Sequence, residues 1–518
     1  MLRNPYFIGD QPGLTQSSGW VDAWTSAPSA YVVKARDAAD VAKAIGFASA
    51  HRLRLVVKGG GHSYLGGSSA PDSLLVWTRD MDAIQLHDRF VPSGCSTAPT
   101  PAVSVGAGCL WGHVYDAVTT RAGRYVQGGG CATVGVAGLV QGGGFGNFSK
   151  AYGLAAAGLL EAEVVTADGQ VRVVNASRDP DLFWALKGGG GGTFGVVTRL
   201  TLQTHDLPPT FGAFRWTLAA KSDDAFRRLL ARFLEEYSTN LFNPHWGEQV
   251  RATGDNRLIV EMVFQGLDRE AAVSAWQGLA EFVAASPQDF EEVSPRLAVV
   301  LPARNFWDAA YLKANLPGAI TSDDRPGADP GNWWWTGDGA QAWRCWHGFS
   351  SAWLPTTLLR GDGPARLARS WFAASRHWST ALHFNKGLAG ASKATLAASR
   401  DTAINPEVLD AFALAIIAGD GPSGGAGLPE PDLVKARKDA VSIRTAMTEL
   451  RTAAPDAGCY LSEMDYFNPD WRRACWGANW DRLSRIKRRY DPDGLFIVHH
   501  GVGSEAWSED GFARARTG

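Results

Sequence analysis

Two reactive side chains in this chain are each set in glycine. His62 lies in Lys58-Gly59-Gly60-Gly61-His62-Ser63-Tyr64. Cys131 lies in Gly128-Gly129-Gly130-Cys131-Ala132-Thr133-Val134-Gly135. A third run, Gly142-Gly143-Gly144-Phe145-Gly146-Asn147, follows closely. Glycine lets backbone amides turn inward and approach a ligand, and such nests favour anions. A nucleophilic imidazole and a thiol beside loops of this kind point to a tethered cofactor rather than a freely exchanging one. Taken singly, each run also reads as a tight turn, with His62 a hydrogen-bonded core residue and Cys131 an inert buried thiol.

Other motifs match only on paper. Gly190-Gly191-Gly192-Thr193-Phe194-Gly195 fits G-x-G-x-x-G, but it follows a helix and precedes a strand, the reverse of a Rossmann unit. Gly421-Pro422-Ser423-Gly424-Gly425 fits G-x-S-x-G, yet Gly and Pro continue where a hydrolase needs a helix. No ligand spacing for a metal is present, and His499-His500 is the only adjacent histidine pair.

The elements that position these residues follow from periodicity. Residues 37–50 read as a helix with Val41, Ala44, Ile45 and Ala48 on its apolar stripe. A buried strand over 53–58 then delivers the His62 loop. Further strands are expected at 74–77 and 103–105, and a helix at 111–121. Runs 160–166 and 171–174 join through Asp168-Gly169, a hairpin signal. Residues 179–187 read as a short helix with Asp179 as cap, Pro180 in the first turn and Gly188 as the stop. A strand over 196–203 precedes Pro208-Pro209, a boundary. Beyond it, strands at 211–218 and 258–264 alternate with helices at 222–239 and 269–285. More strands are expected at 353–359, 381–386 and 411–418. A Gly/Pro loop over 419–431 and a helix over 432–452 follow. The last segment carries a strand over 460–464, a helix over 470–489 and a strand over 495–499.

With 518 residues, two or more domains are expected. Lys+Arg 50 against Asp+Glu 52 leaves a net charge of −2, so no basic surplus points to nucleic acid. Six cysteines in so long a chain are not a disulfide framework. Cys95 and Cys109 are a conceivable pair, but buried free thiols are the simpler reading. No stretch suits a membrane span, and the N-terminus lacks the apolar core of a signal peptide. The compartment stays open between cytoplasm and export with a signal absent from this chain, and the oligomeric state is not legible. Trp333-Trp334-Trp335 cannot all face one core, so at least one ring is expected at a site or interface.

In combination and order, GGGHSY, GGGCATVG, GGGFGN and Gly195-Val196-Val197-Thr198 resemble the berberine bridge enzyme-like oxidases of the vanillyl-alcohol oxidase superfamily. The resemblance is strong over about 23–207 and 456–505. It implies an α+β fold: an FAD-binding domain of the vanillyl-alcohol oxidase (PCMH) type and a substrate domain with an antiparallel sheet backed by helices. The corresponding division is 1–207 for FAD, 208–455 for substrate, and 456–518 packing back on the FAD domain. It implies FAD joined twice, as 8α-N-histidyl through His62 and 6-S-cysteinyl through Cys131. Residues expected around it are Gly59, Gly60, Gly61, Ser63, Thr133, Val134, Gly135, Gly138, Gly143, Gly144, Gly146, Asn147, Gly153, Leu154, Val197 and Asn479. Asn479, in Trp476-Gly477-Ala478-Asn479-Trp480, is expected at the pyrimidine edge.

Oxidising an alcohol also needs a base. Tyr460-Leu461-Ser462-Glu463-Met464-Asp465 resembles the family's Y-x-N-Y-x-D segment, with Glu463 where many members carry a catalytic tyrosine and Ser462 in place of Asn. Glu463 is therefore the expected general base; its ordinary alternative is a salt-bridged or exposed carboxylate. Tyr64, Asn385 and His500 are expected helpers. His383 and Asn385 would share one strand face toward substrate. His499 and Glu505 flank His500 in the same polar stretch. Val134 occupies the position that in the family gates dioxygen, and its small side chain implies an oxidase. The expected partners are a small-molecule substrate (carbohydrate, phenolic or secondary metabolite) and O2. The rivals are a flavin dehydrogenase with another acceptor and a non-catalytic flavin-binding protein.

Overall fold

In the computed structural model, residues 1–423, 431–508 and 510–515 are described. The helix Ala38–His51 forms as its pattern requires. Asp37 caps the Asp40 amide, Val41, Ala44, Ile45 and Ala48 are buried, and Arg52 turns left-handed to end it. It backs a parallel three-stranded sheet in the order Tyr31–Lys34, Leu74–Trp77, Leu55–Lys58. The last strand ends at Lys58. Its ammonium donates to the carbonyls of Gln11, Pro12 and Leu14 at 2.7–3.0 Å, which fixes the root of the His62 loop.

A second sheet is antiparallel, in the order Val171–Val174, Leu159–Val165, Val196–Asp206, Thr100–Gly106, Ile84–Phe90, with Arg124–Val126 pairing the far end of Val196–Asp206. The Asp168-Gly169 hairpin is present, with Gly169 at φ +74°. The expected helix over 111–121 is α-helical only through Trp111–Tyr115 and widens into a π-helical turn over Asp116–Arg121.

The largest sheet has nine strands, from Phe290–Pro302 through Thr210–Ala220, Arg257–Gln265, Trp246–Ala252, Thr380–Phe384, Ala411–Pro422 and Arg344–Pro355 to Ser17–Trp20 and Trp24–Thr25. All its pairings are antiparallel except Ser17–Trp20 with Arg344–Pro355. Helices Asp223–Glu236, Gly363–Ser375 and Leu433–Arg451 bury Leu230, Phe233, Trp371 and Met447 with Trp216 and Trp246 of the sheet. This is the expected α+β arrangement. A Cβ at Gly247 would collide with the Asn147 carbonyl, so this strand passes directly over the third glycine run.

Several local expectations are corrected. Residues 269–285 form two helices, Arg269–Ser274 and Gln277–Ala284, because Trp276 leaves the helical path and enters the core. The strand expected at 353–359 starts at Arg344 and ends at Pro355. The strand at 411–418 continues to Pro422, so the loop placed at 419 begins later; Gly424–Gly425 and the rest of 424–430 lie outside the described residues. Asp179 is not a side-chain cap: it is left-handed and accepts from Tyr490 Oη at 2.8 Å. Gly477, at φ +51°, breaks the helix expected over 470–489 into Trp471–Trp476 and Trp480–Tyr490. Residues 461–463 form a 3₁₀ turn instead of a strand. At 495–499 only Phe496 makes a bridge, to Leu55.

Candidate active site

The His62 and Cys131 loops reach each other through their glycines. A Cβ on Gly60 would come within 2.6 Å of the Gly135 nitrogen, and one on Gly135 within 2.8 Å of the Gly60 nitrogen. That approach closes one cavity of about 380 Å³ lined by Gly59–Ser63, Tyr64, Cys131, Val134, Gly135, Gly138, Val197, Glu463 and His500. Where the loops face the cavity there is room. A Cβ on Gly138 would meet nothing within 4 Å, and one on Gly191 nothing nearer than 3.8 Å.

Thr133 stands behind the wall and joins the two reactive groups. Its Oγ1 lies 3.2 Å from His62 Nε2 and 3.5 Å from Cys131 Sγ. In the tautomer whose Nε2–H donates to Thr133, Nδ1 keeps the free lone pair and is the nucleophilic ring nitrogen. Burial holds the imidazole down at about 4 against a supporting Thr133 backbone hydrogen bond, so the ring is neutral at ordinary pH. Burial, with Asp338 adding to it, pushes the Cys131 thiol up to about 12.

Glu463 sits in the same cavity with Oε2 buried and without a hydrogen-bond partner. Burial pushes its carboxyl up to about 8, with Lys386 opposing and Glu248 assisting. The 3₁₀ turn presents Tyr460, Leu461, Ser462 and Glu463 all to the cavity, which a strand's alternation would not do. Tyr64 also lines it. Its ring packs 5.1 Å from Phe349 and 4.6 Å from Trp346, and burial, with Glu463 nearby, raises its phenol well above the usual range. The His500 ring stacks on Trp471 at 5.0 Å, and its buried Nε2 is unpartnered.

Other expected residues lie off the cavity wall. Asn385 is not on an exposed strand face: the strand ends at Phe384, and Asn385 turns to φ +56°. Its amide bonds the Asn243 and Trp246 carbonyls and accepts from Tyr237 Oη, which makes it a buried structural hub. Asn479 bonds the Ile404 carbonyl at 2.8 Å and anchors that loop. Gly143 and Gly144 lie against Ile404 and Leu139, and Gly146 against Gln127 and Gly128. Asn147 accepts from Lys386, Gly153 turns the chain at φ +84°, and Leu154 is buried among Trp353, Leu388 and Ile404. Glu505 accepts from the nearby Gly503 amide on the surface.

The structure also brings in residues that the sequence did not single out for this role, and sets the expected His383 among them. The Gly190–Thr193 run, dismissed as a Rossmann match, lines the cavity. Its signal was present, a glycine cluster after a helix stop, but its topology was the wrong one for the familiar motif. Lys386 donates to Glu248 Oε1 at 2.6 Å, and His383 Nδ1 lies 3.7 Å from Glu248 Oε2. Burial opposes a charge on Glu248, yet Lys386 and His383 hold it well below the usual carboxylate range. Trp333 and Trp334 are buried, and Trp335 donates to the Gly130 carbonyl at 3.0 Å, bracing the cavity wall without lining the cavity.

Among the described residues no group of His, Cys, Asp or Glu is arranged to hold a metal, and no helix is long and apolar enough to cross a membrane. All six cysteines are free, with Cys95 bonded to Ser177 and Cys109 buried.

Comparisons agree with this geometry. The FAD binding domain family matches residues 28–175, and the berberine and berberine-like family matches 459–503. An uncharacterised FAD-linked oxidoreductase of Arthroderma benhamiae is 30% identical over 98% of this chain and 85% of its own length. The FAD-linked oxidoreductase easE of Arthroderma otae is 32% identical over 93% of this chain and 74% of its length. The crystal structure of VAO-type flavoprotein MtVAO615 from Myceliophthora thermophila superposes with a TM-score of 0.74 at 26% identity, covering 93% of this chain and 82% of that one. A glucooligosaccharide oxidase from Acremonium strictum, described with 6-S-cysteinyl, 8α-N1-histidyl FAD, shares the fold at TM-score 0.67 and 19% identity, over 92% of each chain. The chain belongs to the berberine bridge enzyme-like FAD-linked oxidoreductases of the vanillyl-alcohol oxidase type.

Proposed function

We propose that this enzyme is an oxidase whose FAD is tethered by both His62 and Cys131, and that Glu463 removes the substrate proton. One observation carries the reading. A nucleophilic imidazole nitrogen, a thiol and an unpartnered carboxylate oxygen all face one glycine-walled cavity. The fit to FAD rests on open wall at Gly138 and Gly191 and on unpartnered polar atoms of Gln141, Glu463 and His500 around it. In this proposal residues 1–207 and 456–518 hold the cofactor and 208–455 shape the substrate side.

Bound flavin would supply the hydride acceptor and pass the electrons on to O2, giving H2O2. The chain supplies the rest. The Gly59–Ser63 and Gly190–Thr193 backbones offer amides to the phosphates. Two tethers prevent loss of the cofactor. Glu463, with a carboxyl tuned near working pH, accepts the hydroxyl proton of the substrate. Tyr64 and His500 orient the substrate beside it. The substrate is a carbohydrate, phenolic or secondary-metabolite alcohol, or an activated C–H group. The chitooligosaccharide and glucooligosaccharide oxidases among the structural neighbours support the first class.

Acid precipitation tests the tethering. Yellow colour stays in the pellet for the wild type and for His62→Ala and Cys131→Ala separately, and leaves only in the double variant. Colour in the wild-type supernatant would refute covalent attachment.

A further inference from the structure

Asp338 lies in the short turn Asp338–Gln341, well outside the glycine motifs. Its carboxyl nevertheless lies near enough to the Cys131 thiol for each to shift the other's ionisation. Its Oδ2 is buried and has no hydrogen-bond partner. The segment is held against the Cys131 loop, because Trp335, three residues earlier, donates to the Gly130 carbonyl beside Cys131. The segment is pinned further back by Asn4 and Arg325 on Asp323.

We infer that Asp338 is the base that takes the Cys131 thiol proton when the chain attaches Cys131 to its flavin. This rests on the twofold tether proposed above. In the net step one S–C bond forms at the ring, and the S–H bond and one ring C–H bond break. Two protons and two electrons leave, and O2 takes them up as H2O2. Asp338 receives the first of those protons.

The chemistry calls for such a group. Only a thiolate is nucleophilic, and burial pushes this thiol up to about 12, so it does not ionise unaided at neutral pH. Two acceptors are in reach. Thr133 Oγ1, at 3.5 Å, leads on to His62, but burial leaves that imidazole at about 4. Burial instead raises Asp338 to about 6, with the Cys131 contact opposing and Glu248 assisting. Asp338 is therefore ionised at neutral pH and is the stronger base of the two.

The test is peptide mass spectrometry of the purified enzyme, reading flavin on the His62 and Cys131 peptides separately. In Asp338→Asn and Asp338→Ala we expect the His62 peptide to stay flavin-bearing, which reports a folded protein. The Cys131 peptide falls at least tenfold, to free thiol. Asp338→Glu keeps the carboxyl and retains the Cys131 link. Wild-type levels on Cys131 in Asp338→Asn and Asp338→Ala would overturn the assignment while leaving the twofold tether intact. So would loss in Asp338→Glu as well, since shape rather than proton transfer would then be at stake. A wild-type Cys131 peptide without flavin would overturn both this assignment and the twofold tether.

Discussion

Lys386 Nζ lies 2.6 Å from Glu248 Oε1, and this buried pair acts on Glu463 with opposite signs. The lysine favours the ionised base and the glutamate disfavours it. Burial outweighs both, so Glu463 settles at about 8. A base works deprotonated, so the rate of flavin reduction by substrate rises with pH and levels off above about 8. In Glu463→Gln that rate falls by about 10²–10⁴-fold with flavin absorbance intact. Lys386→Met removes the favourable charge and moves the rising limb to higher pH. Stopped-flow reduction across pH 5–10 (roughly the span of the titrations involved) checks this. A limb that stays in place in Lys386→Met would remove the lysine from the account.

The same burial has a thermodynamic side. Glu463 is raised in the folded state above its ordinary 4.5. Its favourable contribution is full below pH 4.5 and is lost as pH rises toward about 8. Glu463→Gln escapes that loss. Its melting temperature therefore matches the wild type at low pH and exceeds it increasingly up to about pH 8, where the gap becomes constant. Thermal melts at both ends of the range decide it. An equal gap at both ends would mean that Glu463 ionises freely.

The elements around the site were largely legible because their signals are local. Asp37, the Val41–Ala48 stripe and Arg52 define one helix without outside help. The order of the glycine motifs likewise announced the cofactor loops. What escaped was set by tertiary contact. Glycines 143, 144 and 146 carry the same signal as glycines 60 and 61, yet Ile404, Leu139 and Gln127 fill the space beside them. Residues 460–464 alternate like a strand, but their backbone turns at Leu461 and brings Tyr460 and Glu463 into one cavity. Asp338 and Lys386 are single charged residues in unremarkable text. Only the crossing of distant segments gives them partners.

Tertiary contacts hold Asn385 in the core instead of at the cavity wall. Its side chain bonds two carbonyls and one hydroxyl while its backbone sits at φ +56°. Asn385→Ala leaves those buried groups unpaired and places a Cβ residue without local hydrogen bonds in a left-handed conformation. The expected cost is roughly 2–4 kcal/mol of stability. The rate of flavin reduction in the surviving folded enzyme is unchanged. Denaturant unfolding paired with single-turnover reduction separates the two. A slowed reduction at full stability would return Asn385 to the substrate site.

Thr133 holds His62 Nε2 and so leaves Nδ1 free. Thr133→Val removes the hydroxyl while keeping the side-chain shape. In a Cys131→Ala background, where His62 is the single tether, the fraction of flavin released by acid should increase severalfold. The same substitution with Cys131 intact retains most flavin through sulfur. Undiminished attachment in the first case would mean that the ring orientation is set without Thr133.

In the proposed oxidase, Val134 is placed to control reoxidation. Its side chain lines the cavity, and its backbone is fixed on both sides: the amide donates to the Cys131 carbonyl and the carbonyl accepts from the Trp111 amide at 3.0 Å. The side chain therefore cannot retreat when enlarged. Val134→Leu adds about one methylene to the wall. On that reading dioxygen needs a path to the cofactor that the larger side chain narrows, whereas substrate would meet Glu463, Tyr64 and His500. Reoxidation of the reduced enzyme by O2 should slow by about tenfold or more, roughly 1.4 kcal/mol of barrier, with the rate of reduction by substrate preserved. Stopped-flow mixing of reduced enzyme with oxygenated buffer measures the first rate, and anaerobic mixing with substrate the second. Slow reoxidation already in the wild type, unaffected by Val134→Leu, would instead favour a dehydrogenase that delivers its electrons to another acceptor.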